Sequence, residues 1–147
     1  MTLTLAEAKQ IVDAVLSHAH DHSAKVSTCV CDENGRFIAL NRMDGAAATT
    51  NRQAIGKAIA SASTGRPSDY MPNPDEVSGG FATVTGEGMP LNHRQGGLPI
   101  YRDGALIGAC GVSGAGANSM DQACAQAGIG AVDGLRSDDL TVFPGCC

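Results

Sequence analysis

The chain has 147 residues, of which 43% are hydrophobic and only 3% aromatic, with no Trp and a formal net charge of −5. That length holds one domain whose core needs no metal or disulfide staple, and the core must be built from small aliphatic side chains. Scattered Lys and Arg without aromatic partners exclude the basic stripe of a nucleic-acid binder. No apolar run approaches the ~18 residues of a membrane span.

The segment Met1–Thr4 carries neither the basic nor the apolar part of a signal peptide, which predicts a cytoplasmic chain. Its partners are then expected to be small molecules or further copies of itself, with no nucleic acid and no membrane. Six cysteines in such a chain are expected to be reduced: Cys29, Cys31, Cys110 and Cys124 as small core residues, Cys146 and Cys147 on a flexible end. Cys29-Val30-Cys31 is not a zinc spacing, and no second C-x-x-C completes one.

Thr4-Leu5-Ala6-Glu7 is a capping box. Behind it Leu5, Ala8, Ile11, Val12, Val15, Leu16 and Ala19 recur at helical spacing, predicting a helix to about Asp21. Its end carries His18, His20 and His22; of these His18 and His22 share a face, a spacing that can bind zinc, though no acidic or sulfur partner is specified. Lys25–Cys31 reads as a strand, Asp32-Glu33-Asn34-Gly35 as a hairpin turn, and Arg36–Arg42 as the returning strand. A helix follows from about Thr50 to Ser63, stopped by Gly65-Arg66-Pro67.

The stretch from Pro67 to Gly80 reads as a long loop and Phe81–Thr85 as a short strand. Leu98–Tyr101 and Ala105–Val112 form a second hairpin around Arg102-Asp103-Gly104. Ser119-Met120-Asp121-Gln122 is a second capping box, opening a helix toward Ile129–Val132. The residues after Gly134 are polar and expected to be loosely attached, giving a domain over 1–135 and a tail over 136–147. This order predicts an α+β fold in which helices pack on an antiparallel sheet.

Five features could carry chemistry. The segment Gly108–Asn118 runs from a buried strand through small residues into a helix. It reads equally as a packing turn and as a cradle for a carboxylate or phosphate. It lacks both the G-x-G-x-x-G and the G-x-S-x-G spacing. Arg42 and Asp44, two apart on a strand, read first as a surface ion pair and second as a clamp in which Arg42 holds a ligand carboxylate. Lys57 on the Ala-rich helix reads first as a snorkelling side chain and second as a base or anion holder. His93, beside Arg94 in the loop before Gly96-Gly97-Leu98-Pro99-Ile100, is an acid/base or ligand-contact candidate. His18 stands at the edge of the first helix's apolar stripe, where a metal ligand could face a pocket.

In this order, Leu3-Thr4-Leu5-Ala6-Glu7-Ala8, Asp32 with Gly35, Arg42-Met43-Asp44-Gly45, Lys57-Ala58 and Gly65-Arg66-Pro67 lead to Gly96-Gly97-Leu98-Pro99-Ile100. Arg102-Asp103-Gly104, Ile107-Gly108 and Gly111-Val112-Ser113-Gly114 complete the set. The chain so read, from about Leu3 to Val132, resembles the GlcG/HbpS family, which includes the C-terminal domain of PduO-type adenosyltransferases. The resemblance implies a profilin-like α+β domain in compact homo-oligomers, often octamers, and heme as the ligand. It also implies a sensing or accessory role, or a place in a catabolic pathway. It puts an axial ligand to heme iron at His18 and a sulfur ligand at Cys31 or Cys29, with Arg42, Ser113 and Gly114 as further cofactor contacts.

Two readings follow. One is a heme-binding or other small-ligand module. The other is a small enzyme doing isomerase- or lyase-type proton transfer on a carboxylate metabolite, with His93 and Lys57 as catalytic groups beside Arg42 and Ser113.

Overall fold

The computed structural model describes residues 2–70 and 87–138. The expected strand Phe81–Thr85, most of the loop before it, and Cys146 and Cys147 lie outside these residues. The described elements are α1 (Leu5–Asp21), β1 (Ser27–Asp32), β2 (Phe37–Arg42), α2 (Thr50–Thr64), β3 (Gly97–Arg102), β4 (Ala105–Ser113), α3 (Asn118–Gly130) and β5 (Leu135–Arg136). The five strands form one antiparallel sheet in the order β2-β1-β4-β3-β5.

Helix α1 starts where its capping box dictates. Glu7 N–H donates to Thr4 Oγ1 at 3.1 Å, and Thr4 N–H donates to Glu7 Oε1 at 3.0 Å. Its buried stripe is Ala8, Ile11, Val12, Val15 and Ala19. The first hairpin turns on Gly35 at φ 77°, while Asp32 Oδ1 accepts from Asn34 N–H and Arg36 N–H. Only the glycine of the Asn-Gly pair has positive φ, so the turn is a three-residue loop ending in a left-handed residue. The second hairpin uses both Asp103 (φ 51°) and Gly104 (φ 79°), the two-residue turn that suits the twist of paired strands. Helix α2 ends on Gly65 at φ 71°.

Strand alternation sorts the sheet's two faces. Val26, Val30, Leu98, Ile100, Cys110 and Val112 belong to the core under α1 and α3, whereas Cys29, Cys31 and Ala109 pack with Ala54, Ala58 and Ile59 of α2. Helices therefore cover both faces. Small side chains let α2 settle close: a Cβ on Gly111 would stand 2.6 Å from Ala58 N, and one on Gly97 would stand 2.8 Å from the Lys57 carbonyl carbon. On the other face a Cβ on Gly128 of α3 would stand 2.9 Å from Ile11 O of α1.

Two expectations are corrected. Helix α3 is capped by Ala117, with no side-chain cap bond: it begins at Asn118, so Ser119 falls inside the helix and the expected box with Gln122 does not form. The segment after Gly134 is not loose through its first residues. Leu135 is buried, and Leu135–Arg136 pairs with Arg102 and Tyr101, so the sheet runs one residue past the expected domain end.

Candidate functional site

The register gathers several of the singled-out residues at one end of the sheet. Ser27 stands opposite Arg42 on one side and opposite Ser113 on the other. Helix α1 ends at this same end, just before β1, and α3 begins there after the glycine-rich loop. His18, Arg42, Ser113 and Gly114 thus share an end of the domain, though not a face. Arg42 and Ser113, in register with Ser27, lie on the α2 face. Ser27 Oγ is 2.8 Å from Thr50 Oγ1 of α2, and Ser113 Oγ donates to Gln53 Oε1 at 2.6 Å. Arg42 and Asp44 are both exposed.

His18 lies on the opposite side, on the flank of α1 that faces α3. One turn before it, Ala14 lines an open groove of about 640 Å³ together with Glu7, Asp13, Val132 and Asp133. Three carboxylates in that groove disfavour an anionic ligand there. The His18 ring is half-buried and has no hydrogen bond among the described residues. It stacks on His22 with centroids 4.4 Å apart, and His22 Nδ1 donates to the His18 carbonyl at 2.8 Å.

Lys57 does not snorkel. It is 2% exposed, and its Nζ donates to Val112 O at 2.9 Å and to Asp121 Oδ2 at 3.1 Å. Asp121 Oδ1 accepts from Ala115 N–H at 2.9 Å. This ion pair ties α2 on one face to α3 on the other around the end of β4, and it holds the glycine-rich loop in passing. Gly96 is required beside it, since a Cβ there would stand 2.8 Å from Lys57 Nζ at a φ of 133°. The loop is thus first a packing device. Its exposed part is Gly114 and the stretch Gly116–Ser119, which leaves the first amides of α3 without a side-chain cap.

His93 sits elsewhere, over the α2 side. Its Nδ1 is 3.2 Å from Ser68 O, and buried Ser68 accepts from Gly97 N–H at 2.8 Å. No hydrogen bond joins His93 to Lys57, whose ammonium is turned toward α3. Cys31 and Cys29 are fully buried under α2, across the sheet from His18. Burial pushes both thiols well above their ordinary range, with neighbouring Cys110 adding to it at Cys29 and neighbouring Cys29 at Cys31. Burial likewise raises Cys110 to about 12 and Cys124 to about 11. The structure therefore does not bring His18 and Cys31 together. Among the described residues no group of three His, Cys, Asp or Glu side chains could hold a metal ion, and no helix is long and apolar enough to cross a membrane.

Sequence reasoning missed Asp121 as the partner of Lys57, and Gln53 as that of Ser113. An acidic residue at the start of the helix that follows the glycine-rich loop was the available signal.

Among the described residues, three helices on a five-strand antiparallel sheet, with a glycine-rich loop pinned by a buried ion pair, define a class of small α+β domain. Within that class the chain belongs to the HbpS-like family, described as haem degrading protein HbpS-like, whose model matches residues 3–130. It is 32% identical over 119 residues to an uncharacterized 15.0 kDa protein in the dhaT-dhaS intergenic region of Citrobacter freundii, covering 77% of this chain and 80% of that one. To the protein GlcG of Escherichia coli K12 it is 34% identical over 106 residues, covering 72% and 77%. The crystal structure of a PduOC:heme complex superposes with a TM-score of 0.76 at 22% identity, covering 93% of this chain and 99% of that one. That of HbpS superposes at 0.74 and 28% identity, covering 90% and 91%.

Proposed function

We propose that this chain is a small-ligand-binding protein whose ligand is heme, taken up at the open end of the sheet with His18 as the axial ligand to iron. The observation that carries the reading is the His18 imidazole itself, half-buried at the end of α1, held against His22 and without a hydrogen bond among the described residues. The family description and the heme held in the PduOC complex support heme as the ligand. The donor set fits such a group. A neutral imidazole suits heme iron, and the uncapped amides of α3 with exposed Lys25 suit propionates. When bound, heme supplies a redox-active iron, while the protein's part is to orient it and set its surroundings.

Cys31 takes no part in this reading, being sealed on the far face. Lys57 and Ser113 are each engaged inside the fold, which favours binding over proton-transfer chemistry. Self-association belongs to the same proposal. Phe37 and Leu40, 42% and 39% exposed, lie on the edge strand β2, where a second copy would cover them.

Hemin titration tests the ligand. A saturable Soret band is expected from the wild type and from His93→Ala, and its loss or displacement from His18→Ala. Unsaturable uptake that ignores the His18 change sinks the reading.

A further inference from the structure

We propose that His18 and His22 form a two-imidazole site for a borderline divalent transition ion, Cu²⁺ ahead of Ni²⁺ and Zn²⁺, at the C-terminal end of α1. The site stands on its own residues and does not depend on heme.

Spacing supplies the first argument. Residues four apart on a helix lie one above the other, and the two rings here are 4.4 Å apart at 32°. Two nitrogens bound to one ion at ~2.1 Å each stand about 3 Å apart, so the site requires the His18 ring to turn from its stacked contact until a nitrogen faces the Nε2 side of His22.

Tautomer supplies the second. A carbonyl oxygen only accepts, so the 2.8 Å contact from His22 Nδ1 to the His18 carbonyl places the proton on Nδ1. The neutral ring then carries its lone pair on Nε2. A ring nitrogen donating to a backbone carbonyl while the other is left bare is the outer-shell arrangement that metal-ligating histidines use. The His18 ring has no competing hydrogen bond among the described residues.

Electrostatics supplies the third. Both rings sit where the last carbonyls of a 17-residue helix concentrate negative potential, on a chain of net charge −5. With no third protein ligand converging among the described residues, the ion keeps open positions for water or an exogenous ligand. It should therefore exchange readily. Imidazole donors and unconstrained geometry let the intrinsic order of divalent affinities decide, which puts Cu²⁺ first.

The experiment is calorimetric titration of the heme-free full chain with Cu²⁺, Ni²⁺ and Zn²⁺. It is repeated in a Cys146→Ser/Cys147→Ser background so that the terminal thiols are counted out. One equivalent of Cu²⁺ is expected in both backgrounds, with a nitrogen hyperfine pattern from two imidazoles in its electron paramagnetic resonance spectrum. His18→Gln and His22→Gln should each weaken binding by at least the ~10–100-fold that loss of an outer-shell partner costs. His20→Gln, exposed on another flank, should leave it unchanged. Circular dichroism checks that each variant is folded.

Binding that survives His22→Gln, or that disappears with the terminal cysteines alone, overturns the proposal. Hemin titration of His22→Gln separates the two readings. A retained His18-dependent Soret band beside unaltered Cu²⁺ affinity removes the metal site and leaves heme. A chain that binds Cu²⁺ through both histidines but shows no specific Soret band keeps the metal site and removes heme.

Discussion

Beneath α2 the sheet presents Gly97, Ala109, Gly111 and Cys29, whereas beneath α1 and α3 it presents Val30, Leu98, Ile100 and Val112. On the first side the helix backbone lies almost on the strands. On the second, ordinary aliphatic packing keeps the helices at side-chain distance, and a groove runs between α1 and the residues just after α3. The same contrast holds for charge. The α2 side contributes an ammonium sealed in an ion pair, while the α1 side ends in half-buried or exposed imidazoles. Closeness and access are thus divided between the faces, and the candidate ligand groups follow access.

The sharpest way to break this comparison is to add a side chain under α2. Gly111→Val should prevent folding or cost more than about 3 kcal/mol, because its Cβ meets helix backbone that cannot move aside. Gly116→Ala, at φ 90° with nothing within 4 Å, should cost only about 1 kcal/mol, from backbone strain alone. Chemical denaturation of both variants decides. Similar losses would mean that proximity to α2 is not what the first glycine provides.

Next in size is the ion pair. Asp121→Ala strands the Lys57 ammonium in the interior and should cost about 3–5 kcal/mol. The double change Lys57→Met/Asp121→Leu should recover much of that loss, as removal of a whole buried pair usually does. Amide exchange at Ala115 should quicken in both, since its acceptor is gone. If Asp121→Ala is nearly silent, the link between the faces lies elsewhere.

Much of this division was legible along the chain, and the reason differs by element. Helix α1 announced itself because one of its faces is apolar and its cap is explicit. Both hairpins were fixed by residues that tolerate positive φ, and α2 stopped where Gly65 offered a left-handed cap. The covering of both sheet faces was not legible. Ser27–Cys31 is buried throughout, and its Ser, Thr and Cys side chains carry too little hydrophobic contrast to show alternation. Nor was the pairing of β1 with β4, which joins residues some eighty positions apart. β5 escaped because two residues in a polar stretch have no period. At the candidate site, His18 could be named from its place in the helix. The fate of Lys57 and Ser113 could not, because each is decided by a partner on another element.

The smallest expected effect concerns the ion pair on the accessible side, between Glu7 and Arg102. The backbone amide of Thr4 does most to hold the Glu7 carboxyl below its ordinary value of 4.5, with Arg102 adding to it. A carboxylate whose pKa is lowered by folding stabilises the native state above its unfolded pKa, and loses that contribution as the pH falls through its folded value. Glu7→Gln should therefore lower stability at pH 7 by about 1 kcal/mol or less, given the partial exposure of both partners. The difference from wild type should close as the pH falls below the ordinary carboxylate value. Added salt should shrink it at pH 7 while leaving the Lys57–Asp121 coupling nearly unchanged, since only the exposed pair is screened. A Glu7 effect that persists in acid and in salt would make this contact packing, not charge. The two faces would then no longer differ in how their ions are used.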